Sequence, residues 1–101
     1  MARIQTDILV LGSGIAGLTF SIKAARQFPA RQILVLTKTN EGESNTRYAQ
    51  GGVAGVWDEE KDNFEKHIAD TLDAGDGLCK EDIVRIVVEE GPQRVQEIID
   101  W

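Results

Sequence analysis

The sequence has little of what most often carries chemistry on its own. It has one cysteine, Cys79, so no internal disulfide can form. It has one histidine, His67, and no Cys/His cluster with metal-ligand spacing. No apolar run approaches the roughly 20 residues that span a bilayer. Asp7 interrupts the opening stretch "MARIQTD", where a secretory leader would carry its apolar region. A cytoplasmic location is the simplest expectation. Bases are the minority, 11 Lys and Arg against 17 Asp and Glu, for a net charge of −6. Nucleic acid and anionic membranes are bound through clustered Lys and Arg, so neither is expected as a partner. The acidity serves solubility.

What remains is ordinary globular composition, 42% hydrophobic and 28% charged, over 101 residues. That length allows at most one small domain, burying somewhat over ~60% of the surface of its unfolded chain. The last residues, "PQRVQEIIDW", are still apolar-periodic at Trp101, and no capping glycine follows. The expectation is therefore the first part of a longer protein.

Residues Asp7 to Leu11, "DILVL", read as a strand buried on both faces of a parallel sheet. From Ile15 the pattern turns helical, with Ile15, Leu18, Ile22 and Ala25 three or four apart and Pro29 marking the end after Phe28. "ILVL" from Ile33 to Leu36 is a second strand, completing a βαβ unit. Residues Thr39 to Gly52 are polar and glycine-punctuated, which predicts a loop, and "VAGVW" (Val53–Trp57) reads as a short strand. Asp62 and Glu65 have the spacing of a capping box ahead of a helix bearing Phe64, Ile68 and Leu72. "AGDG" (Ala74–Gly77) ends that helix. Another begins near Lys80–Asp82, and Gly91-Pro92 is expected to interrupt it, with Pro92 opening a further helix.

Gly12, Gly14 and Gly17 form G-x-G-x-x-G between the first strand and the first helix. In that context the pattern points to a phosphate cradle. Gly12 allows the tight exit from the strand, Gly14 lets a pyrophosphate approach the backbone, and Gly17 lets helix and strand pack closely. The amides of Ser13, Ile15 and Ala16 would face the anion at the positive end of the helix dipole. The plainer reading is a glycine-rich turn with no ligand. An Asp or Glu for the adenosine ribose is expected about 20 residues on. Thr37 and Lys38 stand there instead, which counts against a simple NAD-binding dehydrogenase. Lys38 is either a cation for the nucleotide or a solvated strand-end lysine.

"DILVLGSGIAGL", the strand ending "TK", the segment "SNTRYAQGGVAGV" and "HIADTLDAGDGLC" (His67–Cys79) together resemble one family. These are the flavoproteins that include L-aspartate oxidases and the flavin subunits of succinate dehydrogenase and fumarate reductase. The resemblance covers nearly the whole chain. It implies an α/β fold: the N-terminal βαβ part of a Rossmann-like FAD-binding domain, followed by a flavin loop and helices. The rest of that domain, and the capping and C-terminal domains, would lie outside residues 1–101.

Family members associated with membranes typically read Ser-His-Thr-Val-Ala-Ala-Gln-Gly-Gly at the flavin loop, with the histidine bonded covalently to FAD. Ser44, Thr46, Ala49, Gln50, Gly51 and Gly52 match that pattern. Asn45 stands at the histidine position, and an amide cannot form that bond, so FAD is expected to be held non-covalently. Tyr48 is what the aspartate-oxidising branch shows, while Arg47 departs from its hydrophobic or aromatic residue. The resemblance assigns FAD to Gly12–Gly17, Lys38 and Asn45–Gly52, where short polar side chains and backbone amides would face the ring and tune its electron affinity. Without the upstream glycines, Gly51-Gly52 would read only as a turn into the next strand.

The implied activity is oxidation of L-aspartate to iminoaspartate, with oxygen or fumarate as acceptor and with hand-off to quinolinate synthase in NAD biosynthesis. No catalytic residue and no metal site is assigned within these residues. Alternatives are a soluble fumarate reductase and a nucleotide-binding module without redox chemistry. His67 reads as a helix-surface or packing residue although imidazole titrates near neutrality, and Cys79 as a small buried or helix-start residue, since no partner base for the thiol is evident.

Overall fold

The computed structural model describes residues 1–38, 45–49 and 51–101. The chain divides into two compact units, Met1–Gly51 and Gly52–Trp101.

In the first unit, strand β1 (Ile8–Leu11) pairs in parallel with β2 (Ile33–Leu36), Ile8 opposite Ile33 and Leu11 opposite Leu36. Helix α1 (Ile15–Gln27) connects them. The register is fixed at its N-terminal end by Asp7. One carboxylate oxygen of Asp7 accepts from the Gln32 amide at 2.8 Å and the other from Arg31 Nη1 at 3.3 Å. The backbone bond from Gln32, and then the Arg31 guanidinium, hold the Asp7 carboxyl below its ordinary value. The Thr6 hydroxyl donates to the Gln32 carbonyl at 2.8 Å, on the same seam.

The apolar period marks α1 correctly, but its sheet-facing side is made of small residues. Ala24 is buried, Gly17 and Ser21 are half-buried, and Ile15, Leu18 and Ile22 remain exposed. Ser21 Oγ donates to the Gly17 carbonyl, so the polar atom is satisfied along the helix itself. Val10 is buried, whereas Leu9 and Leu11 on the opposite face of β1 are exposed. The expectation of a strand covered on both faces therefore holds for one face here. Among the elements described, α1 is what packs on the sheet.

The predicted loop over Thr39–Gly52 contains one helical turn, α2 (Asn45–Tyr48). Residues 39–44 and Gln50 lie outside the described residues.

In the second unit Val53–Trp57 is not a strand. A strand needs a neighbour to satisfy its backbone, and among the described residues none pairs with it. Helix α3 (Phe64–Ala74) starts one residue later than the predicted capping box implies. Asn63 is the cap, its Oδ1 accepting from the Lys66 amide at 2.8 Å. Asp62 accepts from the Asn63 amide, and Glu65 turns away to Arg85. The helix ends at Gly75, after which Asp76 and Gly77 adopt positive φ.

Helix α4 (Glu81–Asp100) packs on α3 and runs straight through Gly91-Pro92, where the sequence predicts a break. Two features allow it. Gly91 offers no Cβ to clash with the proline ring. The ion pair of Glu90 and Arg94, 3.0 Å apart, straddles the proline at i,i+4 spacing. Both Arg85 nitrogens bond the Glu65 carboxylate and tie the helices together, which lowers the Glu65 pKa. Ile68 and Val88 are buried, one on each helix.

Candidate cofactor site

The glycine turn leaves the sheet at Gly12, whose amide donates to the Leu36 carbonyl of β2 at 2.8 Å. Gly12 has φ +108, a conformation that residues with a Cβ rarely adopt. Ser13 Oγ then donates to Thr37 Oγ1 at 3.2 Å, binding the turn to the end of β2 a second time. Thr37, read from the sequence as a partner for a ribose hydroxyl, thus accepts from Ser13. Gly14 is extended (φ −73, ψ 179) and supplies no side-chain cap to α1. The first turn, Ile15, Ala16 and Gly17, therefore presents amides without intrahelical partners at the positive end of the helix.

The three glycines have different physical grounds. A Cβ on Gly17 would lie 2.3 Å from the Gly12 carbonyl oxygen and 3.4 Å from Val10 Cγ1, so helix start and strand exit touch through backbone. Gly12 is required by its backbone conformation. Gly14 is required by neither: among the described residues an added Cβ would meet only Thr46 Oγ1, at an ordinary 3.5 Å. The chain's own packing tolerates a side chain at 14.

Thr46 belongs to α2, and its hydroxyl accepts from the Ile15 amide at 3.0 Å. This bond spans 31 residues and brings the segment Asn45–Tyr48 to the opening of α1. Asn45, Thr46, Arg47, Tyr48 and Ala49 are all exposed. The Arg47 guanidinium lies 6.0 Å from the Tyr48 ring centroid, at the outer limit of a cation–π contact. Gly51 follows with φ +111, and Gly52 opens the second unit. Because Val53–Trp57 is not a strand, the reading of Gly51-Gly52 as a turn into one falls away. Lys38 is exposed just past β2. Between them, the glycine turn, Thr37, Lys38 and residues 45–49 bring two cationic side chains, Lys38 and Arg47, and no carboxylate. The Ala16 and Gly17 amides without intrahelical partners, the exposed Lys38 and a side-chain gap at Gly14 fit a ligand with a diphosphate.

Residues 7–101 match a family described as an FAD binding domain. The chain belongs to that family. It is 46% identical over 93 residues to L-aspartate oxidase 2-a, chloroplastic, of Nicotiana tabacum, covering 92% of this chain and 14% of that protein. It is 45% identical over 96 residues to the L-aspartate oxidase of Vibrio cholerae, covering 95% of this chain and 17% of that one. A solved structure of E. coli quinol fumarate reductase, a FrdA variant, superposes on all of this chain with a TM-score of 0.88 at 36% identity. The chain spans 17% of that structure. The expectations of a Rossmann-like α/β beginning and of FAD as cofactor are met.

His67 sits half-buried on α3, its carbonyl accepting from the Thr71 hydroxyl at 2.8 Å. Cys79 is half-buried with its Sγ 3.8 Å from the Thr71 carbonyl. Among the described residues no helix is long and apolar enough to cross a membrane. The feature that sequence reasoning missed is the docking of Thr46 on Ile15. The available signal was an α1 start with no capping side chain of its own, which calls for an acceptor from elsewhere.

Proposed function

We propose that the protein carrying this chain is an FAD-dependent oxidase that converts L-aspartate to iminoaspartate, for NAD biosynthesis in the cytoplasm. The observation that carries the reading is the identity of 45–46%, over more than nine-tenths of the chain, with proteins named L-aspartate oxidase. Asn45 and Tyr48 support the same branch. FAD, when bound, would supply a two-electron acceptor for the hydride of the substrate α-carbon, with oxygen or fumarate as the final acceptor.

In this reading the turn formed by Gly12, Ser13, Gly14, Ile15, Ala16 and Gly17 holds the pyrophosphate through the amides of Ser13, Gly14, Ala16 and Gly17, those of Gly12 and Ile15 being bonded to Leu36 and Thr46. Lys38 sets a positive charge near the nucleotide. Asn45–Gly52, Gln50 included, line the flavin and hold it without a covalent bond. Residues that orient the dicarboxylate substrate lie in the rest of the polypeptide, and quinolinate synthase takes the product.

The test is an assay of the whole protein for aspartate-dependent peroxide, set against fumarate-dependent oxidation of a reduced dye. Peroxide formation from aspartate is expected. Dye oxidation by fumarate with no turnover of aspartate would replace this reading with a fumarate reductase, which the likeness to the E. coli enzyme favours as the second choice.

A further inference from the structure

We propose that Thr46 is a positioning residue that couples the phosphate end of the cofactor site to its ring end. The proposal rests on the FAD reading given above. Three observations lead to it. The first amide of α1 has no local acceptor, because Gly14 has no side chain. The nearest hydroxyl in sequence, Ser13 Oγ, is directed to Thr37 instead. The Ile15 amide is satisfied at 3.0 Å by Thr46 Oγ1, from the segment assigned above to the flavin.

Helices normally recruit an N-terminal cap from the residue just before them, as Asn63 does for α3. Here the cap comes from 31 residues away and from the other half of one ligand's site. Thr46 Oγ1 also lies beside the turn, at van der Waals distance (3.5 Å) from where a Gly14 Cβ would be. Docking by this single hydroxyl sets the position of Asn45–Tyr48 before any ring arrives. A ligand reaching both places gains from that pre-placement. A ligand reaching only the turn does not.

This difference sets the test. Calorimetric titration of the flavin-stripped whole protein with FAD, and separately with ADP, would be compared among wild type, Thr46→Val and Thr46→Ser. Thr46 is exposed, so valine removes the hydroxyl without disturbing a core. Thr46→Val is expected to weaken FAD about fivefold, the equivalent of one neutral hydrogen bond. ADP affinity should change less than about twofold, or tighten, because the Ile15 amide is then open to a phosphate oxygen. Thr46→Ser keeps the acceptor and should return FAD binding to within about twofold of wild type.

An equal loss for FAD and ADP would make Thr46 a ligand of the phosphate alone and overturn the coupling. Unchanged FAD binding in the valine variant would overturn it as well. Wild type that takes up neither ligand would instead overturn the FAD reading, so the two failures are distinguishable.

Discussion

Gly17→Ala separates a packing glycine from a ligand glycine. Gly17 lies inside α1, where alanine is ordinarily the better residue by about 1 kcal/mol. The structure reverses that sign. The new Cβ would sit 2.3 Å from the Gly12 carbonyl oxygen, and the obstacle is backbone on both sides. Relief requires a shift of roughly 1 Å between the start of α1 and the exit of β1. Val10, the buried residue of β1, is 3.4 Å from the same point and closes off one direction of movement. Overpacking of this kind costs about 1–3 kcal/mol. At the upper end of that range, and set against the propensity gain, a net loss of about 1–2 kcal/mol remains.

The assay is denaturant unfolding of the flavin-stripped protein, read as the midpoint at constant m-value. Gly14→Ala is the control. Its φ of −73 suits alanine, and the one neighbour described is at van der Waals distance. Stability of the stripped protein should stay within about 0.5 kcal/mol of wild type, while FAD affinity falls. If Gly17→Ala unfolds at the same or higher denaturant than wild type, the close approach of α1 to the turn is not real. If Gly14→Ala is as damaging as Gly17→Ala in the absence of flavin, the distinction between the two glycines is wrong.

Other expectations follow from the remaining elements. Pro92→Ala restores an amide that can bond the carbonyl of the buried Val88, and should stabilise the protein by about 2 kcal/mol in the same unfolding assay; destabilisation would mean that α4 needs its proline. Asp7 has a lowered pKa, so its contribution is present above the ordinary aspartate value near 4 and is lost as pH falls through the folded value. Asp7→Asn should therefore flatten the acid limb of the stability–pH curve below about pH 4, and an unchanged limb would remove Asp7 from the seam. Residues 1–101 expressed alone should show no aspartate oxidase activity, and aspartate-dependent peroxide from that segment would refute the placing of the substrate residues elsewhere.

The legible part of the fold was local and periodic. "DILVL", the glycine turn and "ILVL" gave β1, α1 and β2 because apolar runs and glycine spacing act within a few residues. The errors arose where a distant or competing partner decided the outcome. Asn63 outcompeted Asp62 as cap because Glu65, the other half of the expected box, is drawn to Arg85 on α4. α4 crosses Pro92 because Gly91 relieves the clash of the proline ring with the preceding residue and the Glu90–Arg94 pair supports the turn around it, while the bond to the Val88 carbonyl stays lost. Val53–Trp57 has strand-like composition but no strand to pair with among the described residues. The small-residue side of α1 faces the sheet because backbone contact at Gly17 leaves no room for the larger side chains. At the site, the conformational role of Gly12 and the packing role of Gly17 were readable. The bond from Ile15 to Thr46 was not, since sequence spacing says nothing about which loop returns to a helix end.

The most direct measurement is the flavin content of the whole protein as purified, taken before and after mild denaturation. One FAD per chain, released into the supernatant on denaturation, is expected from a diphosphate cradle at Gly12–Gly17 and from an asparagine at position 45. A colourless protein that takes up no added FAD under native conditions would contradict the site itself, and flavin that stays attached to the denatured chain would contradict the role given to Asn45.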